Sequence, residues 1–303
     1  MMATPTMQMG TFILKPTTTT FTAAPSNSSD ALFRAWGKAL SDGLVTVGMI
    51  LVECTGDIDW ATVSAPPGIN TYQGWEVFRF SDTLHATHPI FFKIEYGSAA
   101  YTNTPKIRVT VGRGVNTGDG TLTTPTTSAI AIGSSGSVSS TTPYDCFISG
   151  TTGRCNVVMF AGMDAGIVFC IERTKDDNCD PTDTAVNLTT WSQLTTACLQ
   201  QQLPKTGNAY PATATVPQCD LPNAGDGAYG RNVGLFPVRP NLGWADNPDL
   251  GSCIYFTNNI VSIGTPILLS ILGVTHTYLL SGISANVSIN GNTAYKSIAV
   301  RYE

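Results

Sequence analysis

Gly74-Trp75-Glu76-Val77-Phe78-Arg79-Phe80-Ser81-Asp82-Thr83-Leu84-His85-Ala86-Thr87-His88-Pro89-Ile90-Phe91-Phe92-Lys93-Ile94-Glu95-Tyr96, followed by Lys106-Ile107-Arg108-Val109-Thr110-Val111, is the stretch that decides the fold class. Trp75 to Phe80 alternates with a period of two, as a strand with two different faces does. Ser81 is placed to cap one or two helical turns through Asp82 to Thr87, and Pro89 forbids the helix to continue. Residues 90–96 and 106–111 resume as strands, separated by a turn rich in Gly, Ser, Asn and Pro. The unit predicted is a sheet with one short helix on a face.

Upstream, Ser29 or Asp30 is positioned to cap a helix in which Leu32, Phe33, Trp36 and Leu40 share a face and Gly43 marks the end. Leu44 to Val52 and Asp57 to Val63 read as strands. Residues 1–28, with Thr17-Thr18-Thr19-Thr20, show no helical or alternating period and read as an extended arm that does not order alone. Downstream, 112–143 collapses to Gly, Ser, Thr and Ala and reads as a low-complexity loop or linker. Beyond it, 144–149, 155–160 and 166–172 read as strands and Thr190 to Gln202, carrying Trp191, Leu194, Cys198 and Leu199, as a helix. After the irregular tract 203–251, strands return at 253–258, 266–272, 277–284 and 295–302.

The expected fold is therefore mainly β with a few helices (α+β): antiparallel sheets or β-sandwich-like packing, one amphipathic helix per half, and long extended arms or loops. The expected division is 1–28 arm, 29–111 helix plus β domain, 112–143 loop or linker, and 144–303 Cys-containing β-rich domain with one helix.

Only 12% of the 303 residues are charged, where an ordinary soluble domain carries roughly 25%. The vacated positions hold Thr, Ser, 29 Gly and 18 Pro, so the surface is mostly neutral and polar. A net charge of −5 without a Lys/Arg cluster argues against nucleic-acid binding. No secretory leader is read at the N-terminus, which predicts a chain made in the cytosol or exported by another route. The longest apolar stretch, 260–280, is broken by Gly264, Pro266, Gly273 and His276 and reads as two short strands, not as a membrane span.

Few residues offer chemistry. The 8 Cys include no C-x-x-C pair, which excludes zinc ribbons and thioredoxin-like sites. The Cys146/Cys155 and Cys170/Cys179 spacings suit bridges across neighbouring strands, and buried free thiols are the other reading. Asp82, His85 and His88 stand at i, i+3 and i+6, a weak set for a metal that wants three convergent ligands. Asp176, Asn178 and Asp180 keep the first spacings of a calcium loop, but Pro181 replaces the required Gly and Asn187 the bidentate Glu. Gly133-Ser134-Ser135-Gly136-Ser137 lacks the last Gly of a nucleophile elbow. Gly112-Arg113-Gly114 and Gly118-Asp119-Gly120 precede no helix and read as turns. Asn27-Ser28-Ser29, Asn187-Leu188-Thr189 and Asn286-Val287-Ser288 match a glycosylation pattern that a cytosolic chain does not use. No catalytic, cofactor or metal residues are assigned, and no enzyme activity or cofactor is expected.

The stretch from Gly74 to Ser98, with Arg108-Val109-Thr110-Val111-Gly112 after it, resembles a segment of virion structural proteins of tailed bacteriophages and covers under a fifth of the chain. That resemblance implies a non-enzymatic subunit, assembled in the host cytoplasm into a virion, with copies of itself and other virion proteins as partners. The expected place is tail-associated: adaptor, baseplate or fibre attachment. The alternatives are a capsid decoration protein and a carbohydrate- or receptor-binding β-module, in which Trp244 and Tyr229 offer rings for a host glycan to stack on. Low charge points the same way, because neutral polar surface costs less to cover than charged surface.

Overall fold

The structure, a computed structural model, describes residues 17–22, 30–98, 105–131, 143–161, 164–173, 186–192, 197–203, 213–214, 234–238, 250–257, 266–271, 274–289 and 292–302. In chain order they form β1 (Thr17–Thr22), α1 (Asp30–Thr46), β2 (Ile50–Val52), β3 (Tyr72–Arg79), a 3-10 turn (Thr83–Ala86), β4 (Phe91–Ser98) and β5 (Pro105–Gly112). Next come β6 (Gly114–Asn116), β7 (Thr121–Thr123), β8 (Thr126–Ala131), β9 (Pro143–Thr151), β10 (Arg154–Ala161), β11 (Asp164–Arg173), β12 (Val186–Ser192) and β13 (Ala197–Leu203). The rest are β14 (Thr213–Ala214), β15 (Gly234–Val238), β16 (Leu250–Thr257), β17 (Pro266–Ile271), β18 (Val274–Ile289) and β19 (Asn292–Arg301).

The fold is mostly β, in antiparallel sheets. One sheet has the order β2-β3-β4-β5-β8, a second β1-β9-β10-β11-β12-β13-β14, and a third β15-β16-β19-β18-β17; β6 and β7 form a small hairpin. The main core lies between the first two sheets and α1. Phe78, Phe80, Phe92, Ile94, Tyr96, Ile107 and Val109 come from the first sheet, Cys155, Val157, Phe169 and Ile171 from the second, and Leu32, Phe33, Trp36, Leu40 and Leu44 from the helix. The opposite face of β10 meets the third sheet, where Asn156 and Val158 stand against Leu279 and Val300. The second sheet is thus a middle layer covered on both faces. That explains why 155–159 and 167–171 run almost continuously apolar instead of alternating.

Helix α1 keeps its expected buried stripe but extends past Gly43, which is itself buried in the packing. Its stop is Gly48, at φ 101°. There the Met49 N–H donates to the Leu44 carbonyl at 3.0 Å and the Gly48 N–H to the Val45 carbonyl at 3.0 Å, the hydrogen-bond pair that closes a helix on a left-handed residue. Strand β2 is correspondingly short.

Four other expectations are corrected. Residues 57–63 are turns, not a strand, because Asp side chains take the main chain's donors: Asp57 Oδ2 accepts from the Cys54 N–H at 2.9 Å and Asp59 Oδ1 from the Ala61 N–H at 2.9 Å. The described residues of the expected helix, 190–192 and 197–202, are strand: β12 and β13 pair with Trp191 opposite Cys198 and Thr190 opposite Leu199. The expected second helix is therefore absent, and α1 is the one α-helix among the described residues. The tract 112–131 carries β6, β7 and β8, and β8 adds to β5 with Val109 opposite Ser128; residues 132–142 lie outside the described residues. Within the N-terminal arm, Thr17–Thr22 pairs with β9.

Candidate functional site

The most unusual chemistry in the core is a carboxylate. Glu76, on β3, shares a face with Phe78 and Phe80 and is only 3% exposed. Its Oε1 accepts hydrogen bonds from Ser41 Oγ on α1 at 2.8 Å and from Trp60 Nε1 in the 57–63 turn at 2.9 Å. Its Oε2 accepts one from Tyr96 Oη on β4 at 2.6 Å. Three elements are thereby tied to a fourth. No Lys or Arg side chain among the described residues bonds to it, and burial raises its pKa above the ordinary 4.5 against the opposing pull of the three donors. Tyr96 is also pushed up, by burial first and then by the neighbouring Glu76.

Aromatic rings wall the carboxylate in. Trp60 meets Tyr96 edge to face at 4.7 Å between centroids, and Trp36 lies 5.7 Å from Tyr96. Gly37 lets α1 pass over Trp60, since a Cβ there would stand 1.9 Å from the ring. Both oxygens of Glu76 are already occupied and the group is sealed from solvent. It acts as a joint between helix, turn and sheet, and no substrate reaches it.

A second cluster lies where the second and third sheets meet. Arg154 ion-pairs with Glu172, a residue 6% exposed. Arg301 Nη2 stands 2.8 Å from His276 Nδ1, so that nitrogen is the acceptor and the ring is neutral. Burial, then Arg301 and Arg154, holds the His276 pKa down. Ser149 Oγ and Asn156 Nδ2 both donate to the Arg301 carbonyl, at 2.8 and 3.1 Å. Arg154 Nε, Arg301 Nε and Asn156 Oδ1 have no partner among the described residues. The adjoining crevice, lined by Phe147, Val158, Leu279 and Tyr302 among others, leaves no room for a water molecule, so it is no small-molecule site.

The residues singled out in the sequence are not gathered into a site. Asp82 precedes the 3-10 turn and ion-pairs with Arg173 of β11, which also donates to the His88 carbonyl at 2.8 Å; the expected cap on Ser81 is not formed. His85 packs edge-on against Phe91 at 5.3 Å, while His88 Nδ1 lies 3.0 Å from Thr87 Oγ1. Of the Asp82/His85/His88 set, the Asp82 carboxylate and the His88 carbonyl fasten Arg173 of the second sheet, and the three side chains do not converge as ligands. Gly118-Asp119-Gly120 forms the turn between β6 and β7, with Gly120 at φ 65° and Asp119 Oδ1 accepting from Asn116 Nδ2 and the Thr121 N–H. Cys54, Cys146, Cys155 and Cys170 are free thiols, so the Cys146–Cys155 bridge is not formed. Cys146 lies opposite Met159 and Cys155 opposite Gly150. Burial pushes the Cys146 thiol up to about 12 and raises that of Cys155 as well. The acidic run 175–183, Trp244 and Tyr229 lie outside the described residues.

The sequence reading missed Glu76, although a signal was there: in the alternation of 75–80 the one carboxylate falls in phase with Phe78 and Phe80. Among the described residues no helix is long and apolar enough to cross a membrane. Comparisons with protein-family models, with curated proteins and with solved structures gave no match.

Proposed function

We propose that this chain is a non-enzymatic structural subunit of a tailed-phage virion, built in the host cytoplasm and attached at the tail as an adaptor, baseplate or fibre-attachment protein. The observation that carries the reading is the segment 74–112, whose resemblance to such proteins falls on the strands β3, β4 and β5 that support α1 and the Glu76 joint. Two features favour the same class. The buried polar groups serve as fastenings between layers: Glu76 between helix and sheet, Asp82–Arg173 and Ser149–Arg301 between sheets. Among the described residues the three large sheets also end in strands with one neighbour, such as β17, where Leu268 is 69% exposed, and such edges accept further strands or neighbouring subunits.

Partners on this reading are copies of the same chain and other virion proteins. Size exclusion with light scattering, or mass photometry, on the purified chain is the test. The expected result is a defined oligomer or its incorporation into particles. A protein that stays monomeric across the concentration range and never joins particles overturns the proposal.

A further inference from the structure

The second sheet has an unusual first member. Its strands β9 to β14 all come from residues 143–214, while β1 comes from the N-terminal end of the chain, before α1. Strand β1 seals the β9 edge by a six-step antiparallel ladder running from Thr17 opposite Ile148 to Thr22 opposite Pro143. The strand reads TTTTFT and is joined to β9 by a main-chain ladder, a kind of pairing that does not distinguish one donor chain from another. Were β1 withdrawn, β9 would present an open edge of N–H and C=O groups beside buried Cys146 and Ile148, a template that has to be filled.

We infer that β1 is an exchanged strand: in the assembled protein, the Thr17–Thr22 strand seated on β9 is supplied by a neighbouring copy. The inference rests on the reading of the chain as an assembling subunit. Seven residues, 23–29, separate β1 from α1 in the sequence, and seven residues can span at most roughly 25 Å. Residues 1–29 carry a single charge, Lys15, on a chain of net charge −5, so an arm can cross to another copy without bringing like charge against it. Exchange of an identical element keeps every native bond and links copies at little cost.

The register supplies the test. Thr19 lies opposite Cys146 and Thr20 opposite Asp145, and side chains directly opposite on antiparallel strands approach to within disulfide reach. Full-length Thr19→Cys, and separately Thr20→Cys with Asp145→Cys to guard against damage to the core, are assembled, oxidised and run on non-reducing gels beside a Thr19→Ala control. The expected result is loss of the monomer band to reducible multimers in both Cys variants and not in the control. An intrachain bridge inside an otherwise normal oligomer overturns the exchange and leaves the assembly reading standing. Failure of the unmodified chain to form any oligomer overturns both, and oligomers in which neither pair bridges overturn the exchange.

Discussion

Glu76 and Glu172 are both nearly buried, at 3% and 6% exposure, yet the regions around them handle charge in opposite ways. Glu76 sits between α1 and the β2–β5, β8 sheet among aromatic rings and takes three neutral donors, Ser41, Trp60 and Tyr96. Glu172 sits on the middle sheet, on a strand facing the third sheet, and pairs with the Arg154 guanidinium. The first arrangement ties several elements to one acceptor and tolerates loss of the charge. The second keeps its charge and answers it with cations, Arg154 in the ion pair and Arg301 close by. The contrast fits two tasks, locking a helix onto a sheet in one case and fastening sheet to sheet in the other.

The largest effect is expected from breaking the ionic arrangement. Arg154→Ala removes the ion-pair partner of a carboxylate that stays buried and that Arg301 also faces, at a cost of about 3 kcal/mol, read as a fall in chemical-denaturation midpoint; a loss below about 1 kcal/mol would show that the pair is not needed. Gly37→Ala probes the other region through packing. The added Cβ collides with Trp60, and overpacking of this kind costs about 1 to 3 kcal/mol, with a change in Trp fluorescence as the ring moves.

Tyr96→Phe removes one donor and leaves Glu76 Oε2 short of a partner, for about 1 to 2 kcal/mol. Because that hydrogen bond favours the ionised carboxylate, the same variant raises the Glu76 pKa further. Glu76→Gln has the smallest effect at any single pH and the most specific one across pH. Glu76 has a folded pKa above its ordinary 4.5, so its contribution is complete below that ordinary value and is lost as pH rises through the raised one. The melting temperature of the unmodified protein minus that of Glu76→Gln therefore falls from acid to neutral pH. A flat difference would mean that burial does not perturb this carboxylate.

Strand positions were legible wherever a period of two or a short apolar run was bounded by turn residues, as at β3, β4, β5 and β9 to β11. The helix start was legible from its buried stripe. Its end was not, because two glycines compete: Gly43 is buried within the helix and Gly48 takes a positive φ, and only the second stops a helix. The 190–202 error has a different origin. Trp191, Leu194, Cys198 and Leu199 have helical spacing, but the segment is a hairpin in which β12 finds β11 on its far side, and that long-range pairing leaves no mark in the local pattern. Residues 57–63 alternate like a strand, yet Asp57 and Asp59 divert their donors into turns. Of the polar joints, Glu76 was readable by phase, whereas Asp82 to Arg173 spans 91 positions and no local rule connects them.

The claim that these joints serve an assembled, non-catalytic subunit is tested most directly by imaging the purified particle with this chain carrying a visible label. The account predicts label at the tail, in a symmetric set of copies. Particles that form normally with no label anywhere would contradict it.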